Sequence, residues 1–126
     1  MSKSIRTPLA RVRGLGSAKE GPGHFIGQRV TAIALVVLVP AFLFILLAAT
    51  SGDYASARAW ISHPLHAIVT LLALGAALYH MRLGLQTVIE DYIGGAFTRI
   101  TLLILNTFAA FALFAAAAYS VVSLAA

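Results

Sequence analysis

The sequence predicts an all-α membrane protein with three transmembrane helices, and three observations predict it. Hydrophobic residues make up 60% of the 126 and charged residues only 10%, against about 45–50% and about 25% in an average soluble domain. Three long apolar runs cover about residues 30–50, 65–89 and 100–124. Each is close to the ~20 residues that cross a bilayer core at about 1.5 Å per residue. Finally, six of the nine basic residues, Lys3, Arg6, Arg11, Arg13, Lys19 and Arg29, fall at one end of the chain. A net charge of +5 would suit nucleic acid in a soluble protein. Concentrated at one end of a membrane protein it sets orientation instead, and no nucleic-acid partner is expected. The absence of cysteine excludes a disulfide framework, a thiolate zinc site and an iron–sulfur cluster held by this chain alone.

Residues 1–29 read as a basic, mostly irregular cytoplasmic arm, with residues 30–126 as the three-helix transmembrane domain. In the arm Pro8, Gly14, Gly16, Gly21, Pro22 and Gly23 interrupt any regular helix, and Glu20 is the single acid. Val30 to Thr50 is a run of 21 residues without a charge. Pro40 within it removes one backbone hydrogen bond and predicts a kink, which a helix bundle tolerates. A cleaved signal peptide is the competing reading. Its apolar core would be about 7–15 residues and would start earlier, although Ala48-Ala49-Thr50 keeps that reading open. Residues 51–63 are a short polar loop with Trp60 as an interfacial anchor, and Pro64 suits the first turn of the next helix.

The second span, about Leu65 to Ile89, contains His66, His80 and Arg82. Glu90, Asp91 and Tyr92 follow, and Gly94-Gly95 is the expected stop. The third span, about Ile100 to Leu124, carries no charge. Ala109, Ala110, Ala112 and Ala115 to Ala118 give it small faces for close helix packing. Outside the arm, the second loop holds Arg99, the first loop holds only Arg58 and the C-terminus holds no basic residue. The N-terminus and second loop therefore face the cytoplasm, and the first loop and C-terminus face the opposite side.

An ionisable side chain at membrane depth costs about 2.5–3.5 kcal/mol on insertion scales, which singles out the stretch from Tyr79 to Tyr92. His80 lies roughly 15 Å from the cytoplasmic end of its helix. Two readings of it stand level: a neutral imidazole hydrogen-bonded to a neighbouring helix, or an axial ligand to haem iron. The second requires another ligand from a partner subunit or a second copy. His80, Gly84, Thr87 and Asp91 share one side of the helix. Gly84 leaves room there for a flat macrocycle or, in the plainer reading, for a closely packed helix. Asp91 and Tyr92 read plainly as a solvated helix end and an aromatic-belt residue. Yet Glu90 and Asp91 oppose the helix dipole, by about a few tenths of a kcal/mol each, which hints at use. A phenol donates to a quinone carbonyl, and a neighbouring carboxylate orients it and relays protons.

Arg82 lies about 200° round the helix from His80. It is expected off that groove, snorkelling towards the cytoplasmic headgroups. Arg29 is a positive anchor or, functionally, a fork for a haem propionate, with His24 assisting. His66 precedes His80 by 14 residues and is nearly in line with it, as in di-haem b-type cytochromes. It lies near the outer surface, however, and no other span offers a partner histidine.

The segment His80-x-x-x-Gly84-x-Gln86-x-Val88-x-x-Asp91-Tyr92 resembles the signature of the smaller hydrophobic anchor subunits of succinate dehydrogenase, respiratory complex II, in an alphaproteobacterial style. Gly23-His24-Phe25-Ile26-Gly27-Gln28-Arg29-Val30-Thr31-Ala32-Ile33 resembles the start of that family's first helix. The resemblance covers nearly the whole chain. It implies a multi-pass subunit of the bacterial inner membrane with no active site of its own. It also implies a larger cytochrome b-type anchor partner, and iron–sulfur and flavoprotein subunits held at the cytoplasmic face. Electrons from succinate would pass through flavin and iron–sulfur clusters to ubiquinone. Carried over, His80 would be one axial ligand of a haem b shared with the larger anchor. Tyr92 would hydrogen-bond the quinone with Asp91 beside it, and Arg29 and His24 would lie near the propionates. Two rivals remain: a homo-oligomeric di-haem electron-transfer protein using His66 and His80, and a cofactor-free structural membrane subunit.

Overall fold

A computed structural model describes residues 5, 7–14 and 21–125. Every regular element among them is a helix: α1 Pro8–Arg13, α2 Gly21–Ala49, α3 Tyr54–Ile61, α4 Pro64–Tyr92 and α5 Ala96–Ala125. Lys3, Arg6, Gly16, Lys19 and Glu20, named above as parts of the arm, lie outside the described residues.

The expectation of an irregular arm is corrected at both of its described ends. The Thr7 hydroxyl caps α1 by accepting from the Ala10 N–H at 3.1 Å. Pro8 follows in the first turn, and Gly14 ends the helix at φ +54°. Further on, Gly21, Pro22 and Gly23 form the first turn of α2 instead of breaking it. The first N–H groups of a helix have no intrahelical partner, so proline forfeits nothing there and its fixed φ suits the helix. His24 to Arg29 consequently ride on helix, in register with the apolar residues after them. α2 then runs unbroken through Pro40.

The first loop is also more ordered than its polar composition suggests. Asp53 caps α3, its carboxylate accepting from the Ser56 hydroxyl at 2.7 Å and the Ser56 N–H at 2.9 Å. Those two bonds, the hydroxyl first, hold the Asp53 carboxyl below its usual pKa. Pro64 opens α4, as its position predicted. The other end of α4 differs from expectation. Ile93, in extended conformation, stops the helix with its N–H on the Ile89 carbonyl at 3.1 Å. Gly94 and Gly95 do not adopt the left-handed cap, since Gly14 alone among the described glycines has positive φ.

α4 is the middle element. It packs on α2 along one side and on α5 along the other, α2 and α5 do not meet among the described residues, and α3 touches all three. α2, α4 and α5 each offer 29 residues long and apolar enough to cross a membrane. At 1.5 Å per residue that is about 43 Å, the thickness of a bilayer with its headgroups rather than of its core alone. The spans read from hydropathy covered the core, and the helices continue beyond it.

Little is buried within a row of three helices. Among the described residues Ile45, Ala49, Thr70, Ala73, Leu83, Asn106, Ala110 and Val121 are buried, while Val36, Phe108 and Phe111 are among many large apolar side chains left exposed. Lipid and neighbouring helices suit such faces. Ala110 is the one member of the predicted small faces that packs fully inside the chain. Close approach of α2 to α4 depends on Gly27, where an added Cβ would lie 3.3 Å from Leu83 Cδ1 and 3.5 Å from Tyr79 Oη. Gly27→Ala is expected to be accommodated by a small shift of the Leu83 side chain. Gly27→Leu overpacks the seam and is expected to cost about 1–3 kcal/mol, read as a lowered midpoint in thermal unfolding.

Candidate functional site

The seam between α2 and α4 carries the polar groups of greatest interest. His24, Gly27, Gln28 and Thr31 recur at helical spacing along the face of α2 that meets α4. Opposite them stand Tyr79, His80, Leu83 and Gly84. The His80 imidazole is turned into this seam. Its Nδ1 lies 3.0 Å from Thr31 Oγ1 and its Nε2 lies 3.3 Å from Gln28 Nε2. The Thr31 hydroxyl donates to the Gly27 carbonyl at 2.7 Å.

These contacts fit the tautomer with its proton on Nδ1. A hydroxyl has one proton and two lone pairs. Thr31 spends its proton on Gly27, so it accepts from Nδ1–H. In that tautomer the Gln28 amide nitrogen donates to the lone pair of Nε2. The result is a directed chain from Gln28 N–H through imidazole and hydroxyl to a backbone carbonyl. It leaves one loose end, because Gln28 Oε1 is buried and has no hydrogen-bond partner. A buried polar atom left unsatisfied costs about 1–3 kcal/mol.

The helical-face argument placed Gly84 below His80, and Gly84 is there, with Gln28 Nε2 at 3.7 Å from where its Cβ would be. This gap is filled by the glutamine. His24, also turned inward, donates from Nε2 to the Leu83 carbonyl at 3.2 Å. That bond ties the first turn of α2 to α4. Arg29 instead points outward, exposed, with its guanidinium 5.1 Å from the centre of the Phe25 ring. The structure does not bring His24 and Arg29 together.

Asp91 and Tyr92 close α4, both exposed, Tyr92 at 82%. Glu90 is held by Gln86, whose Nε2 donates to Oε1 at 2.9 Å. The Tyr92 hydroxyl meets no hydrogen-bond partner among the described residues. Twelve residues separate Tyr92 from His80, about 18 Å along the helix.

Arg82 occupies the opposite seam, as its helical angle predicted. It does not simply snorkel: its Nε donates to Thr107 Oγ1 on α5 at 3.1 Å, and its own carbonyl accepts from Asn106 Nδ2 at 2.9 Å. Beside it a groove of about 270 Å³ runs between α4 and α5, lined by Gly75, Leu78, Ala110 and Phe114 among others. His66 serves the end of α4 next to α3. Its Nδ1 donates to the Trp60 carbonyl at 2.7 Å, and its ring lies 4.2 Å from the Trp60 ring, fastening α3 to α4.

Sequence reasoning passed over Gln28, Thr31, Asn106 and Thr107. The available signal was their polarity within or beside apolar runs. Gln28 and Thr31 also stand three apart, the spacing that places both on one helix face.

Comparison with known proteins gives a consistent family. A family model described as succinate dehydrogenase/fumarate reductase transmembrane subunit matches residues 3–123. A succinate dehydrogenase hydrophobic membrane anchor subunit from Rickettsia bellii is 38% identical over 104 residues, 82% of this chain and 83% of that protein. The protein of the same description from Paracoccus denitrificans is 33% identical over 114 residues, 90% of this chain and 88% of its own length. One from Rickettsia conorii is 31% identical over 106 residues, 83% and 84% of the two chains. No solved structure gives a significant match.

Proposed function

This chain belongs to the succinate dehydrogenase/fumarate reductase transmembrane subunits, as a non-catalytic membrane anchor, and on that premise we propose a fuller role. It attaches the flavoprotein and iron–sulfur subunits of a succinate:quinone oxidoreductase to the bacterial inner membrane. With a larger cytochrome b-type anchor it completes a haem b site and one wall of the ubiquinone pocket. Its N-terminus and the α4–α5 turn face the cytoplasm, a reading supported by six basic residues before residue 30 and Arg99 after the turn.

One observation carries this reading. A single helix, α4, holds an imidazole in the α2–α4 seam and, about three turns away at its end, a phenol with no hydrogen-bond partner among the described residues. The residues suit a haem. His80 would supply an imidazole nitrogen to the iron, Thr31 Oγ1 lies 3.0 Å behind the ring at Nδ1, and Gln28 Oε1 is buried without a hydrogen-bond partner. Bound there, a haem supplies a one-electron redox centre. The other ligand would come from the larger anchor. Arg29, exposed near the same end of the bundle, is free to meet a propionate. His24 stabilises that end by its bond to Leu83 and stands beside the same site.

Tyr92 would donate a hydrogen bond from its phenol to a carbonyl oxygen of the quinone, and Asp91 next to it would relay protons as the quinone is reduced. Both side chains are exposed in this chain alone, and the iron–sulfur subunit and larger anchor cover them. The reading is tested by mild-detergent purification through a tag on this chain. Three further polypeptides and one haem per flavin are expected. Two haems per dimer of this chain, with no partner, would support the di-haem rival with His66 and His80. A colourless preparation would support the cofactor-free one.

A further inference from the structure

We propose that Thr31 and Gln28 are positioning residues for the His80 imidazole: Thr31 fixes which ring nitrogen keeps its lone pair, and Gln28 caps that lone pair until the cofactor displaces it. The inference rests on the reading of His80 as an axial ligand. It begins from the commitment of the Thr31 proton to the Gly27 carbonyl at 2.7 Å. With its proton so directed the hydroxyl accepts from the imidazole, which then carries its proton on Nδ1, 3.0 Å away. A histidine that ligates a metal commonly donates its other ring N–H to an oxygen in this way, which orients the ring and raises its basicity. Here the oxygen is on α2 while the ligand is on α4, so packing of the two helices aims the imidazole.

Gln28 acts at the other nitrogen. Nε2 has one lone pair in the ring plane, and the Gln28 amide occupies it from 3.3 Å. A bond to iron and a hydrogen bond from Gln28 exclude each other there. The amide would therefore turn away when the site is loaded. Two observations fit a group built to move. Gln28 Oε1 is buried without a partner, so the present rotamer leaves half of the amide unsatisfied. The adjacent space on α4 is bounded by Gly84, where a Cβ would touch only the Gln28 amide, at 3.7 Å. The side chain that fills the gap next to the imidazole is also the one that blocks its lone pair.

The test uses the purified four-subunit complex, with haem partitioned at equilibrium against a scavenging apoprotein and its low-spin resonance and midpoint potential recorded. Thr31→Val removes the acceptor. Partitioning is expected to shift about 10–100-fold towards the scavenger. The resonance should broaden as the ring loses its orientation, and the potential should rise because a less basic ligand stabilises ferric iron less. Thr31→Ser is expected to restore all three. Gln28→Ala removes the competing hydrogen bond and is expected to shift partitioning about 2–10-fold towards the complex. If His80→Leu abolishes the haem signal while Thr31→Val and Gln28→Ala both behave as wild type, the ligand reading stands and the present inference is overturned. If His80→Leu leaves the signal intact, the ligand reading itself is wrong. Should Thr31→Val fail to assemble, the Gln28→Ala arm decides alone, and unchanged partitioning there counts against the inference.

Discussion

His80→Leu is expected to abolish the b-type absorbance of the assembled complex while the four polypeptides still co-purify. The imidazole supplies one of two axial bonds in the proposed site, so its removal weakens haem binding by more than the ~10–100-fold that follows loss of a mere outer-shell partner. A leucine also leaves Gln28 wholly unpaired, at a cost of about 1–3 kcal/mol. His80→Gln separates these effects. Glutamine keeps hydrogen-bonding capacity towards Gln28 and Thr31 but is no substitute as an iron ligand. The expected pattern is near-normal assembly for His80→Gln, modest instability for His80→Leu, and no b-type spectrum for either. An unchanged spectrum in His80→Gln would leave the imidazole with only its hydrogen bonds between α2 and α4.

The number and course of the membrane helices were legible because hydropathy over 18 or more residues depends on burial in lipid and hardly at all on tertiary detail. Helix ends were not. The same Gly21-Pro22-Gly23 that breaks a helix interior is harmless in a first turn, and composition does not say which case applies. The α3 helix was hidden because Asp53 and Ser56 suit both a loop and a cap. At the site, angular position around α4 was correct: Arg82 and His80 face different seams. What each meets was beyond the sequence. Thr31 and Gln28 are 49 and 52 residues from His80, and only the packing of α2 on α4 discloses that they engage its two nitrogens. Similarly Arg82, expected to reach for headgroups, is retained by Thr107 because α5 brings a hydroxyl within 3.1 Å.

Tyr92→Phe is expected to impair ubiquinone reduction while haem content and succinate oxidation with an artificial acceptor stay normal. The phenol closes α4 at 82% exposure, with its hydroxyl uncommitted among the described residues, so the substitution removes no hydrogen bond seen within this chain. Any loss therefore lies in contacts made outside it. A quinone carbonyl left without its donor in a covered pocket loses about 1–3 kcal/mol, equivalent to about 5–150-fold in kcat/KM. Asp91→Asn keeps the size of the side chain but not its charge, so it is expected to retain quinone binding and slow turnover, a fall in kcat with little change in KM. His80 lies about 18 Å further along α4, too far for either change to disturb its hydrogen bonds. Wild-type ubiquinone turnover in Tyr92→Phe would return the residue to the aromatic belt, and the pocket would then have to be built from other side chains.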